Sequence, residues 1–217
     1  MFTTTTPEQT SERTLASAVE STIAWRLRIE TRVEHQAIEQ NCRLRRLSEP
    51  DLEIEEYVSI LRRLLAYVGP VEDDLRRWSQ HLPHSLELAS RLTKAELLRR
   101  DIATLSRSGD LEANLSVVAP SPGLSSVEQA WGCLYLFEGA TMGGQILARC
   151  LQSNLGLTPD HGTAFYSSYR HLTGARWQTF KAALNASVVE EALFADEIVA
   201  TAQATFRAMN LWMAGDR

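Results

Sequence analysis

The chain has little of what would hold a small secreted or β-rich protein together. Its three cysteines, Cys42, Cys133 and Cys150, are odd in number and include no Cys-x-x-Cys pair. Neither a disulfide framework nor a cysteine-based zinc site is therefore expected. Seven prolines and eleven glycines are scattered over 217 residues, which speaks against a sandwich of short strands and against a low-complexity chain. No apolar run reaches the roughly 20 residues that a membrane-spanning helix needs. The opening MFTTTTPEQTSER lacks the basic and apolar blocks of a secretory signal. Positive charge is also in deficit: 22 Lys and Arg against 27 Asp and Glu give a net charge of −5, which argues against nucleic acid as the main partner. These absences lead to the expectation of a soluble, reduced, cytoplasmic protein that engages neither membrane nor nucleic acid.

What is present is helical periodicity. Residues 1–14 read as a flexible N-terminal lead-in, and residues 15–217 as one all-α domain, a single helical bundle. A first helix is expected from Leu15 to Arg46, with a break allowed near Glu20–Ser21. A second follows Ser48-Glu49-Pro50-Asp51 and carries Ile54, Tyr57, Val58, Leu61, Leu65 and Val68 at helical spacing. Gln80 to His84 reads as a loop. Thr93-Lys94-Ala95-Glu96 and Ser125-Ser126-Val127-Glu128 have the form of capping boxes. Between them, Ser108 to Gly123 is the longest irregular connection. A short helix is expected from Thr158-Pro159-Asp160 through Tyr169, and Gly174 punctuates the chain before Arg176-Trp177. Ser187-Val188-Val189-Glu190 should cap a final helix to about Met213.

The stretch Leu134 to Ile146, LYLFEGATMGGQI, places Gly139, Gly143 and Gly144 inside an apolar helical run. Each interior glycine costs a helix about 1 kcal/mol relative to alanine. Bare backbone must therefore be useful there, either because another helix packs very close or because a flat ligand lies against the peptide groups. Gly139 and Gly143 are one turn apart and open a smooth patch on one face. Gly144 gives the helix freedom to bend.

One histidine has a distinctive setting. On a helix, Leu27, Thr31, His35, Ile38 and Cys42 share a face, with Glu39 one turn after His35. That carboxylate could orient the imidazole through Nδ1–H and leave Nε2 free to bind a metal. Arg28 and Arg32 lie on the same basic segment and suit a ligand with an iron centre and carboxylate arms. The plainer alternatives stay open: a structural histidine, solvated arginines, and glycines that serve helix packing alone.

Leu27-Arg28-x-x-Thr31-x-x-x-His35-x-x-x-Glu39 resembles the proximal helix of the haem oxygenase family, in particular its bacterial, phytochrome-associated branch. Leu134 to Gln145 resembles the distal helix, and Phe165-Tyr166 with Gly174-Ala175-Arg176-Trp177-x-x-Phe180 resembles the C-terminal region. The resemblance implies haem sandwiched between a proximal and a kinked distal helix. It makes His35 the axial ligand of the iron, and haem (heme b) both cofactor and substrate. It further implies oxidative opening of haem by O2 to biliverdin, with release of iron and carbon monoxide. Electrons would come from an external donor such as a ferredoxin or a flavoprotein reductase, and a phytochrome would be a recipient of biliverdin. Gly139, Gly143 and Thr141 would line the reacting face, and Gly144 would complete the bare backbone. Arg28, Arg176 and Lys181 are candidates for the propionates, with Tyr135 and Phe206 at the ring edge. Animal members carry an aspartate where this chain has Ala140, so a haem-binding or haem-sensing protein without turnover remains the alternative.

Other helical chemistries lack their residues. No Glu-x-x-His pair for a di-iron site occurs, and there is no His-Glu-x-x-His, Gly-x-Ser-x-Gly or phosphate-binding loop. His81, His84, His161 and His171 read as surface or helix-end residues.

Overall fold

The computed structural model describes residues 22–106, 118–188 and 192–215. Among these residues nine α-helices form and no strand does, apart from isolated bridges at Thr158. The expected lead-in at 1–14 and the break near Glu20–Ser21 lie outside the described residues, as does most of the 108–123 connection.

The single helix expected up to Arg46 is instead three: α1 (Ile23–Glu30), α2 (Arg32–Glu39) and α3 (Cys42–Arg46). Asn41 makes the second break. Its side-chain oxygen accepts from the N–H groups of Arg43 and Leu44, while its amide donates to Asn210 at 2.8 Å. A side chain that caps a new helix competes with continuation of the old one. At the first break, Thr31 is fully buried and its hydroxyl donates to the Leu27 carbonyl at 2.7 Å.

Helix α4 (Ile54–Arg77) buries Tyr57, Leu61, Leu64, Val68, Val71 and Leu75 at helical spacing and runs through Pro70. A proline in a helix deprives the carbonyl four residues earlier of its donor. Here the Ala119 N–H donates to that carbonyl, on Ala66, at 2.9 Å. A 3₁₀ turn (His84–Leu86) and α5 (Leu88–Arg91) lead into α6 (Lys94–Leu105). Thr93 does not cap α6 with its side chain, contrary to the capping box read there. The buried carboxylate of Glu72, from α4, takes that role and accepts from Lys94 N–H at 2.7 Å and Ala95 N–H at 3.3 Å.

Helix α7 (Val127–Leu155) contains all the glycines of the distinctive stretch without interruption and ends at Gly156, whose φ of 70° suits glycine. Its box lies one residue later than expected: Ser126 accepts from Gln129 N–H, and the Gln129 side chain accepts from Ser125 N–H. No helix forms from Thr158 to Tyr169. Gly162 has φ 93°, and side chains satisfy the local backbone instead. Asp101 of α6 accepts from Ala164 and Phe165 N–H at 2.9 and 2.8 Å, and Tyr57 O–H donates to the Gly162 carbonyl. After a second 3₁₀ turn (Arg170–Leu172), α8 (Thr173–Ser187) holds Gly174 in its first turn, and α9 (Ala192–Ala214) completes the order. Ser187 therefore closes α8, and Val189 and Glu190 of the expected box lie outside the described residues.

Helices α7 and α9 form the central pair. A Cβ on Gly132 would sit 2.4 Å from the Ile198 carbonyl oxygen, so the two backbones touch there. Helices α1 and α2 lie along α9 through a ladder of polar contacts. Arg26 pairs with Asp196 at 2.6 Å, Gln203 donates to the Glu30 carbonyl at 2.8 Å, and Arg207 pairs with Glu34 at 2.8 Å. No helix among the described residues is long and apolar enough to cross a membrane.

Candidate functional site

His35 projects from α2 into an aromatic enclosure. Its ring lies 4.2 Å from Phe206 of α9 and 6.3 Å from Tyr135 of α7, centroid to centroid. Tyr135 in turn meets Trp177 of α8 at 5.8 Å. The imidazole is half-buried, and burial pulls its pKa below the usual 6.5 although the Glu39 and Glu34 carboxylates push it up. It is therefore neutral at neutral pH, the form in which an imidazole nitrogen can bind a metal. Glu39 is exposed and makes no hydrogen bond to His35 among the described residues; it acts on the ring through its charge alone.

The three glycines of α7 have different surroundings. A Cβ on Gly139 would lie 3.8 Å from the outer edge of Trp177, and one on Gly143 would meet nothing within 4 Å. One on Gly144 would stand 3.0 Å from the Tyr166 carbonyl oxygen. Gly144 thus serves close packing of the 158–169 segment, whereas Gly143 leaves open space over bare backbone. The close approach expected of a glycine is found at Gly144, to the non-helical 158–169 segment rather than to a helix, while Gly143 faces open space. Thr141 is buried, and its hydroxyl donates to the Glu138 carbonyl at 2.6 Å, a bond within its own helix.

The cations also separate. Arg28 is exposed, makes no ion pair among the described residues, and lies near enough to Tyr135 to bear on its hydroxyl. Lys181 places its ammonium 5.7 Å from the Trp177 ring centroid. Arg176 is already engaged: its guanidinium stacks 4.4 Å over the Tyr169 ring and donates to the Ser90 hydroxyl.

Sequence reasoning did not single out Trp177 as the link between Tyr135 and Gly139, nor the buried charges behind Gly139. Those are Arg91 and Lys94, which both meet Glu138. A visible signal existed, since Glu138 is a charged residue that directly follows the apolar run Leu134-Tyr135-Leu136-Phe137. The arrangement brings together a neutral imidazole, several aromatic rings, bare helix backbone and an exposed cation, a set that can receive a flat, largely apolar ligand with anionic groups.

The "Heme oxygenase" family model matches residues 21–214. The chain is 30% identical over 173 residues to a Xanthomonas campestris protein named heme oxygenase, a match covering 78% of this chain and 96% of that one. The fold is similar to solved haem oxygenases. The Neisseria meningitidis protein aligns with a TM-score of 0.73 at 20% identity, covering 89% of this chain and 90% of that chain. The Synechocystis sp. PCC6803 protein, solved in complex with heme, aligns with a TM-score of 0.73 at 21% identity, covering 88% and 90%. The Leptospira interrogans protein gives a TM-score of 0.68 at 20% identity, covering 89% and 98%.

Proposed function

The chain belongs to the haem oxygenase family, an enzyme family that cleaves haem, and from that membership we propose that it opens haem to biliverdin with His35 as the proximal iron ligand. Haem bound there supplies the iron at which O2 is activated, and an external reductant, a ferredoxin or flavoprotein, supplies the electrons. Iron and carbon monoxide leave with the opened ring. A phytochrome fits as recipient of the biliverdin.

The chain's own residues do the positioning. His35 offers a neutral nitrogen held by Phe206 and Tyr135. The bare backbone at Gly143, together with Gly139 beside Trp177, lets a flat ring approach the peptide groups and leaves no side chain to compete with a small ligand. Arg28, exposed and without an ion pair among the described residues, offers its guanidinium to a propionate, and Lys181 lies beside Trp177. Thr141 gives its proton to the Glu138 carbonyl, so delivery of protons falls to water ordered by backbone groups near Gly139. The observation that carries the reading is the joining of a neutral, aromatic-enclosed His35 to the Gly139 backbone through Tyr135 and Trp177.

Adding haemin to the full-length protein and then ascorbate or a ferredoxin system tests it. The expected result is a Soret band that decays into a bilin spectrum with formation of carbon monoxide. A stable oxy or ferrous complex with the ring intact identifies a haem-sensing protein instead. Absence of any Soret shift overturns the reading altogether.

A further inference from the structure

Between α7 and α8 runs a ladder of aromatic rings that the function proposed above uses only at one end. Tyr135 meets Trp177 at 5.8 Å between centroids, Trp177 stacks on Phe180 at 5.5 Å, and Phe180 meets Trp131 at 5.7 Å. Helix α7 supplies Trp131 and Tyr135 at i, i+4, and α8 supplies Trp177 and Phe180 at i, i+3. The near end borders the site: Tyr135 lies 6.3 Å from His35, and Trp177 is the ring that a Cβ on Gly139 would meet. The far end reaches the surface, where Trp131 lines a groove together with His81, Glu128 and Phe194. Phe180 is fully buried, so no solvent enters the middle of the ladder.

Packing explains why the rings touch; the groups around them set where an oxidised ring would rest. Lys181 holds its ammonium 5.7 Å from the Trp177 centroid. A cation over an indole stabilises the electron-rich ring and opposes its oxidation. Glu128 stands at i, i+3 to Trp131 and lines the same groove, and a carboxylate favours a positively charged ring. Glu197, bonded to Ser126 and Gln129, adds a second carboxylate at this end of α7. The N-termini of α7 and α9 bring roughly half a positive charge each, which the two carboxylates exceed. Tyr135 is a poor resting place, because burial raises its pKa and the phenol keeps the proton that a tyrosine loses on oxidation. An indole can be oxidised with its proton in place.

We propose that this ladder is an outlet for oxidising equivalents: a peroxide reacting at the haem site draws electrons from Trp131 by way of Phe180, Trp177 and Tyr135. The inference rests on the haem-binding reading above. Hydrogen peroxide is the oxidant; it takes up two electrons and two protons, its O–O bond breaks, and two water molecules leave. Each electron comes from the Trp131 indole, whose N–H proton then passes to water in the groove. A small reductant in solution, such as ascorbate, returns one electron and one proton to Trp131 each time, so two ascorbates are oxidised per peroxide. Ferric iron alone is too weak an oxidant to take an electron from an indole, so the ladder stays silent while haem is being reduced. Oxidation is thereby moved from the rings beside His35 to a ring at the surface groove.

The test is freeze-quench electron paramagnetic resonance of the ferric haem complex of the full chain, mixed with peracetic acid. The O–O bond of that oxidant breaks by the same two-electron uptake, to acetic acid and water. The expected result is an indole radical, whose spectrum changes when tryptophan is ring-deuterated and does not change when tyrosine is. Trp131→Phe should abolish that signal in favour of one on Trp177 or Tyr135, with the Soret band of the haem complex as in wild type. Glu128→Gln should shift the radical from Trp131 toward Trp177, and ascorbate added after the peracid should quench the wild-type signal. An unchanged indole signal in Trp131→Phe, or a wild type that consumes peracid without forming an indole radical, overturns the proposal. If circular dichroism shows that Trp131→Phe does not fold, Glu128→Gln decides, and an unshifted radical there overturns the proposal. A wild type that gives no Soret shift with haemin would instead remove the function proposed above; an intact Soret band without an indole radical removes this inference alone.

Discussion

The imidazole of His35 packs on the phenyl ring of Phe206 at 4.2 Å between centroids, tilted by 53°. This contact makes part of the burial that lowers the histidine's pKa. Because the folded value lies below the unfolded 6.5, the neutral ring contributes stability that is present above pH 6.5 and is lost as pH falls below it toward the depressed value. Urea unfolding of the apo protein at about pH 7.5 and about pH 5.5 should therefore show an acid loss that His35→Leu reduces. Equal acid losses in both proteins would show that burial does not bias the imidazole. In the haem-loaded protein, His35→Ala should abolish the low-spin axial signature.

Gly132, Gly143 and Gly144 allow packing and ligand access to be separated on one helix. Gly132→Ala pushes a methyl into the Ile198 carbonyl and Gly144→Ala into that of Tyr166, both rigid backbone. Each should lose about 1–3 kcal/mol or more in apo stability. Gly143→Ala meets open space and should gain up to about 1 kcal/mol from helix propensity. Gly143→Val, which fills that space, should slow haem turnover without unfolding the protein. Thermal melts and turnover assays of the four variants check the pattern; a destabilised Gly143→Ala would contradict it.

The sequence made the helices that carry the site legible because their apolar spacing and caps are local. The start of the central helix was read to within one residue, the box expected at Ser125 lying at Ser126. What escaped was set by partners far away in the chain. Residues 158–169 have helical-looking composition, yet Asp101 and Tyr57 take over their backbone groups. Glu72 caps α6 from a helix about a turn-rich loop away, so Thr93 looked sufficient when it was not. At the site, His35 and the glycines stood out by residue type. Trp177 and the Arg91–Lys94–Glu138 cluster did not, since their meaning lies in which side chains meet.

Asp101 offers a test of how the 158–169 segment supports α7. Its carboxylate accepts two backbone N–H bonds from Ala164 and Phe165, next to the Tyr166 backbone that packs on Gly144. Asp101→Ala would leave the buried Ala164 N–H and the half-buried Phe165 N–H without a partner and should cost about 2–4 kcal/mol. Asp101→Asn keeps an acceptor for only one of the two donors and should cost an intermediate amount. Amide hydrogen exchange should quicken at 164–166 in the alanine variant before it does so elsewhere. Uniform protection across the segment would show that Asp101 does not anchor it.

Arg28 and Arg176 both entered as propionate candidates, and their surroundings predict different outcomes on removal. Arg28 is exposed and unpaired among the described residues, so Arg28→Ala should leave apo stability within about 0.5 kcal/mol of wild type. Haem affinity should nonetheless fall, by about two- to fivefold, because an exposed cation contributes modestly to binding a carboxylate. Arg28→Glu should weaken it further through repulsion, and added salt should narrow the gap between the two variants. Arg176 already stacks on Tyr169 and bonds Ser90, so Arg176→Ala should lower apo stability as well as any affinity for haem. Haemin titrations at two salt concentrations, paired with apo melts, separate these cases. If Arg28→Ala bound haem as tightly as wild type while Arg176→Ala did not, the propionate would belong to α8 rather than to α1.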